Sequence, residues 1–94
     1  SQKGAEPTGR DKTSIIVSAK DRVGALYDLI RPFSSHGISM TKIESRPTRR
    51  KVWEYLFYMD LEGHQDDDRL KKALAEVRSS CLMMKVLGSY SSHQ

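Results

Sequence analysis

The stretch that decides the fold is Val52–Glu62, VWEYLFYMDLE, whose alternating side chains follow the period-two repeat of a β-strand. The preceding segment, residues 38–46, contains β-branched residues and runs into Pro47, which is typical of a strand end. Only a short turn separates the two segments, so we expect them to pair as an antiparallel hairpin. The period-two repeat places five residues on one face of the second strand: Trp53, Tyr55, Phe57, Met59 and Leu61.

Two helices and two further strands are predicted around this hairpin. Residues 12–18 (KTSIIVS) are β-branched and residues 82–90 (LMMKVLGSY) are compact and apolar, so both are predicted to be strands. Two other segments repeat apolar side chains at helical spacing, which indicates amphipathic helices with one face on a core. The two stripes are Leu26, Leu29, Ile30 and Phe33, and then Leu70, Ala73, Leu74 and Val77.

Both predicted helices carry recognisable end signals. Gly37 supplies a C-terminal stop for the first helix, while Pro32 inside it lacks an N–H and is expected to kink or thin the last turn. The acidic run at residues 66–68 precedes the second helix. Its carboxylates complement the helix dipole and can cap free N–H groups, so the second helix is expected to begin there.

The element order β-α-β-β-α-β indicates an α+β, ferredoxin-like fold, with a four-stranded antiparallel sheet and two helices on one face. Right-handed crossovers place the first and third strands in the centre, and the exposed edge strands invite pairing with another subunit. Residues 12–90 form this single domain. Residues 1–11 (SQKGAEPTGRD) lack apolar periodicity and are interpreted as a flexible lead or linker, and residues 91–94 as a tail.

Composition argues against several classes of protein. Ninety-four residues fit one domain and cannot easily enclose a deep active site, which favours a binding or regulatory module over a complete enzyme. No apolar run approaches the roughly 20 residues that span a bilayer, and no basic-then-apolar N-terminal segment indicates a secretory signal. Cys81 is the only cysteine, so an intrachain disulfide is impossible and a reducing, cytoplasmic setting is expected.

The formal charge of +4 arises from 16 Lys and Arg residues against 12 Asp and Glu residues, most of them interspersed. The one dense basic stretch comprises Arg46, Arg49, Arg50 and Lys51, and it falls in the turn predicted between two strands. A solvated hairpin tip explains this stretch better than a nucleic-acid surface, which needs basic residues along one face. Neither a nucleic-acid nor a membrane partner is expected.

The sequence contains no convincing catalytic or metal-binding constellation. His36, His64 and His93 are predicted to be solvated loop residues, since none has a cysteine or carboxylate at ligand spacing. The run at residues 66–68 lacks the alternating ligands and the glycine of a calcium loop. Cys81 is predicted to be a small buried residue rather than a nucleophile. We therefore expect no metal and no cofactor.

Two short segments are more informative about function. Gly24-Ala25-Leu26 opens the first helix, where a glycine lets a ligand approach the backbone and free N–H groups suit a carboxylate. Plain helix initiation explains the same spacing. Glu44-Ser45-Arg46-Pro47 ends a strand and could hold an ion pair across an interface, with ordinary turn chemistry as the alternative.

Together, GALYDLI and TKIESRP, followed by VWEYLFYMDLEGH and KVLGSY, closely resemble an ACT domain of the prephenate dehydratase type over about residues 12–90. This resemblance implies a non-catalytic domain that binds L-phenylalanine for feedback inhibition. It also implies an upstream catalytic domain that converts prephenate to phenylpyruvate and is often fused to chorismate mutase. Two alternatives stay open: the regulatory domain of an aromatic amino acid hydroxylase, which shares GAL and ESRP, and a ligand-independent dimerisation module.

The resemblance further implies where the ligand lies. In the family the amino acid sits between two ACT domains, so a homodimer with two sites is expected, with the segment between Gly37 and Ile43 lining the facing wall. Tyr27 and Ser39 depart from the family pattern of a small aliphatic residue and an asparagine, which bears on ligand choice. The implied ligand-binding residues are Gly24, Ala25, Leu26, Ser39, Met40, Thr41, Ile43, Glu44, Ser45 and Arg46.

Overall fold

The computed structural model describes residues 10–48 and 53–91. Within them the strands are β1 (Asp11–Lys20), β2 (Met40–Pro47), β3 (Glu54–Glu62) and β4 (Met83–Ser91), and the helices are α1 (Ala25–Ser35) and α2 (Asp68–Arg78). Neither of these helices is long and apolar enough to cross a membrane. Most of the basic stretch at the predicted hairpin tip, residues 49–51, and His93 lie outside the described residues.

The four strands form one antiparallel sheet in the order β2-β3-β1-β4, which confirms the predicted ferredoxin-like fold with β1 and β3 at its centre. The strand registers place Ile15 opposite Met59 and Ser45 opposite Phe57. Each edge strand contains a register shift typical of a β-bulge, at Thr41 in β2 and at Leu87 in β4. The edge strands are therefore less regular than the two central ones.

The core lies between one face of the sheet and the two helices. All four residues of the second predicted stripe are buried on α2, as expected. That helix starts as predicted, because the Asp67 carboxylate accepts the Arg69 N–H at 2.8 Å. The largest fully buried apolar side chains of the two central strands and α1 complete this core: Ile15, Val17, Leu29, Phe33, Met59 and Leu61.

Two residues of the predicted helix stripe and strand face lie outside the core. Leu26 is 41% exposed, because the first turn of α1 borders an open cavity rather than the core. Trp53 is 55% exposed, because β3 begins one residue later and Trp53 belongs to the preceding turn. Pro32 does not end α1: it is buried, and its carbonyl accepts the His36 N–H at 3.1 Å.

The histidines differ from one another. The prediction of a solvated loop residue is wrong for His64, which is 4% exposed and accepts the Asp66 N–H through Nδ1 at 3.0 Å. Because of this local bond, the imidazole packs against the loop that contains it. His36 lies at the end of α1, where its Nε2 is 2.8 Å from the Glu76 carboxylate of α2. Cys81 is partly buried against the core, and this burial raises the pKa of its thiol.

Candidate functional site

A cavity of about 490 Å³ opens beside the first turn of α1, and we call it the GAL cavity. It brings the residues of the first motif together with Ser45 of the second, on the side of the sheet that carries the helices. The loop before α1 and the start of β3 complete it. Its lining residues are Lys20, Asp21, Arg22, Gly24, Ala25, Leu26, Tyr27, Ser45, Tyr55 and Phe57.

The backbone at the start of α1 offers hydrogen-bond donors to this cavity. Gly24 precedes the helix in the left-handed conformation, with φ of 81°, and has no side chain with which to cap it. The Ala25 N–H donates to the Arg22 carbonyl at 3.0 Å. The next two N–H groups, those of Leu26 and Tyr27, belong to the first turn, where an α-helix supplies no carbonyl partner. With the positive end of the helix dipole, they suit a carboxylate.

Charged side chains surround this helix start. Arg22 is tied to the first turn, because its Nη2 lies 2.6 Å from Asp28 Oδ2 and its Nη1 donates to the Val23 carbonyl at 3.1 Å. Lys20 brings a further positive charge to the lining and Asp21 brings a carboxylate. Charges of both signs beside free backbone donors are what a zwitterion needs at its polar end.

Aromatic and aliphatic surfaces form the other walls of the GAL cavity. Tyr55 and Phe57 lie on β3 with their ring centroids 6.4 Å apart and their planes inclined by 32°. Across from them, Leu26 and Tyr27 leave 41% and 62% of their surface exposed on α1. Apolar walls next to a polar end match the shape of an aromatic amino acid.

The alternation of a β-strand divides the second motif between the two faces of the sheet. Ser45 pairs with Phe57 and faces the GAL cavity, whereas Glu44 and Arg46 lie on the opposite face. There the Arg46 guanidinium is 5.3 Å from the centroid of the Tyr58 ring, and its Nη2 is 3.7 Å from Glu44 Oε2. Within one chain the structure thus brings Ser45 to the first motif but not its two charged neighbours.

The remaining implied residues lie along β2 and before it. Met40 lines a neighbouring apolar groove of about 430 Å³ with Ile30, Phe33 and Ile38, and this groove shares Tyr27 with the GAL cavity. Ser39 borders a polar pocket near His64, and Thr41 lies at the register shift. The half-exposed Ile43 lies on β2 between Thr41 and Ser45. Their partners on β3, Leu61 and Phe57, are four residues apart, so at about 3.4 Å each Met40 lies roughly 14 Å from Ser45. One chain therefore does not assemble the whole implied site.

Several cavity residues were missed by sequence reasoning. The period-two pattern places Tyr55 and Phe57 on one face of β3 but does not predict that both line the cavity. The signal that identifies them is the register, which places Phe57 opposite Ser45. Nothing in the motifs marks Lys20, because it belongs to β1 and meets the others only through the fold.

The ACT domain family model matches residues 13–79. The bifunctional chorismate mutase/prephenate dehydratase of Aquifex aeolicus is 53% identical over 85 residues, which cover 90% of this chain and 24% of that protein. The prephenate dehydratase of Amycolatopsis methanolica is 40% identical over 86 residues, covering 92% of this chain and 28% of that protein. This chain thus spans about a quarter of the length of these relatives.

A similar fold is present in the solved structure of prephenate dehydratase from Arthrobacter aurescens in complex with L-Phe. The two share 39% sequence identity and superpose with a TM-score of 0.86, over 93% of this chain and 29% of that one. The likeness therefore extends over nearly all of this chain.

Proposed function

This chain belongs to the ACT domain family, and we propose that it is the regulatory domain through which L-phenylalanine inhibits a prephenate dehydratase. In this proposal residues 12–90 bind the amino acid and catalyse nothing themselves. A catalytic domain upstream in the same cytoplasmic polypeptide converts prephenate to phenylpyruvate, with or without a fused chorismate mutase. The identity to two such enzymes and the fold shared with an L-Phe complex support this proposal.

The observation that carries the proposal is the glycine-led start of α1, which opens onto a cavity with aromatic walls. The ligand carboxylate would accept from the N–H groups of Leu26 and Tyr27. The ammonium group would bind near Asp21 and the Ser45 hydroxyl, and the ring would lie against Phe57 and its neighbours. Each group of L-phenylalanine then finds a chemically matched surface.

We further propose that a second copy of the chain completes the site. β2 is an edge strand, and two edge strands related by a two-fold axis pair antiparallel. With Ile43 near that axis, Thr41 of one copy comes opposite Ser45 of the other. The apolar groove beside Met40 would then cover the GAL cavity of the second copy. A dimer of this kind holds two sites and reunites the residues that one chain keeps about 14 Å apart.

Feedback inhibition requires L-phenylalanine to bind two arrangements of the paired domains differently. The arrangement that it favours would hold the upstream domain in a less active state. A coupling free energy of about 1–3 kcal/mol is typical of such systems and gives an effect of several-fold to about a hundredfold.

Calorimetric titration of the folded chain with L-phenylalanine tests this proposal. We expect saturable binding of one ligand per chain and a raised midpoint of thermal unfolding. D-phenylalanine and L-alanine are the controls that test whether binding requires the L configuration and the aromatic ring. A folded chain that shows neither heat nor a midpoint shift at millimolar L-phenylalanine contradicts the proposal. A stable dimer indifferent to amino acids would indicate the dimerisation module instead, and a downstream catalytic domain in the parent gene would indicate a hydroxylase.

A further inference from the structure

We infer that Arg46 and Tyr58 are positioning residues for the GAL cavity, which act through the backbone of β2 and do not touch the ligand. The inference rests on the proposed function, because it assigns the two residues to the placement of Ser45 beside bound L-phenylalanine. It gives the arginine of the second motif a role different from the ligand contact that the family resemblance implies.

The geometry on the face of the sheet away from the helices motivates this inference. Tyr58 of β3 pairs directly with Glu44, and Arg46 lies diagonally across from it. The guanidinium carbon of Arg46 is 5.3 Å from the centroid of the Tyr58 ring, within the range of a cation–π contact. The Glu44 carboxylate, 3.7 Å away from the same guanidinium, adds an exposed ion pair.

This stretch of β2 depends on side-chain contacts more than an ordinary strand does. It lies at a sheet edge, and it is bounded by the register shift at Thr41 and by Pro47, which has no N–H for the ladder. On the helix face Ser45 offers Phe57 only a small side chain to pack against. Cross-strand side-chain pairs stabilise a sheet, so the position of this segment depends on the Arg46–Tyr58 pair on the opposite face.

Direct contact between Arg46 and a ligand in the GAL cavity of the same chain is excluded by this arrangement. The guanidinium and the cavity lie on opposite faces of the sheet, with the backbone of β2 and β3 between them. Ser45 and Arg46 are consecutive in the chain. A displacement of the backbone at Arg46 therefore also moves Ser45, which lines the cavity.

Four variants separate positioning from ligand contact when L-phenylalanine affinity is measured by calorimetry on the full chain. We expect Tyr58→Leu and Arg46→Met each to weaken binding about two- to fivefold, the range of an exposed cation–π contact. Tyr58→Phe keeps the ring and should bind as wild type does. The double variant Y58L/R46M should bind L-phenylalanine no more weakly than whichever single variant binds it less tightly, because both changes break the same contact.

Lys85→Met is the matched control, since it removes one positive charge from the other edge strand and should leave the affinity unchanged. The inference is overturned if Tyr58→Leu binds as tightly as wild type while Arg46→Met does not. That pattern would mean that the guanidinium of a second copy contacts the ligand, independently of the ring.

Amide hydrogen exchange of the free chain provides a readout that needs no ligand. We expect Tyr58→Leu and Arg46→Met to accelerate exchange across residues 42–46 and to leave β1 unchanged. Unchanged exchange in β2 overturns the inference whatever the affinities are. If wild type itself binds no L-phenylalanine, the proposed function fails and the positioning role at a ligand site fails with it, whereas accelerated exchange would still locate the contact that holds β2.

Discussion

Thr13 Oγ1 and Ser89 Oγ lie 2.8 Å apart in the interior, and this contact joins the first strand to the last. The Thr13 hydroxyl donates to the Gly63 carbonyl at 2.7 Å, and Ser89 Oγ accepts the Gln65 N–H at 2.9 Å. Two of the sequence stretches similar to prephenate dehydratase, EGH and KVLGSY, thus meet at one buried network. Their joint occurrence has a structural reason, because the loop and β4 satisfy each other's polar groups.

Thr13→Val should lower the free energy of unfolding by about 1–3 kcal/mol, because it removes the hydrogen bonds to the Gly63 carbonyl and to Ser89 while it keeps the shape of the side chain. Urea unfolding monitored by circular dichroism measures this change. Thr41→Val on the exposed edge strand is the matched control and should stay within about 0.5 kcal/mol of wild type. Equal losses in the two variants would show that the buried network does not stabilise the fold.

Leu26 and Leu29 lie one turn apart on α1 and should respond in opposite ways to truncation. Leu29→Ala should cost about 2–5 kcal/mol of stability, since Leu29 is fully buried. Leu26→Ala should cost at most about 0.5 kcal/mol, because its side chain borders the cavity. It should instead weaken L-phenylalanine binding about five- to tenfold through lost apolar contact. Each variant controls for the other, and a Leu26→Ala chain with full affinity contradicts the proposed site.

Gly24→Ala should destabilise the chain by about 1–2 kcal/mol, because the left-handed backbone at this position disfavours a Cβ. Space does not limit the substitution, since the nearest atom to that Cβ would be Arg22 Nη1 at 3.9 Å. Gly24→Asn should lose less, because asparagine tolerates this conformation. Thermal unfolding of the three chains gives the ranking. An alanine variant as stable as wild type would mean that the backbone relaxes away from φ of 81°.

The Cys81 thiol should react slowly with iodoacetamide. Burial raises its pKa, and the positive charge of Arg78 offsets only part of that effect. The rate of alkylation should therefore reach its midpoint at a higher pH in the folded chain than in the same chain unfolded in urea. By linkage, the stability contributed by the protonated thiol is present below its unfolded pKa and is lost as the pH rises through the folded value. Identical pH profiles for folded and unfolded chains would contradict this prediction.

The fold could be predicted from the sequence because its periodicities are strong and agree with one another. The apolar positions of β3 and α2 fall at the spacings that a sheet and a helix require, and the acidic run marks the start of α2. Pro32 is expected to kink or thin the last turn of α1, and the structure shows that a buried proline is compatible with three further helical residues. Such tolerance depends on tertiary packing, which a local pattern does not report.

The site could be predicted only in part, because its geometry depends on register. The sequence places Glu44 and Ser45 side by side, but the pairing with β3 sends them to opposite faces of the sheet. Lys20 and Tyr55 enter the cavity from other strands, and no motif includes both of them. The burial of His64 is not predictable from the sequence for a similar reason, since it depends on the fold of the loop that follows β3.

The most direct test of an L-phenylalanine site shared between two copies is a mixing experiment. Leu26→Lys places a charge in the GAL cavity, and Met40→Lys places one in the apolar groove. Both variants must first be shown to be folded dimers that bind no L-phenylalanine alone. In an equal mixture, half of the dimers carry one intact site, so we expect calorimetry to detect about one bound ligand per four chains. If subunit exchange is demonstrated and the mixture still binds no L-phenylalanine, as its two components do not, the shared site is contradicted.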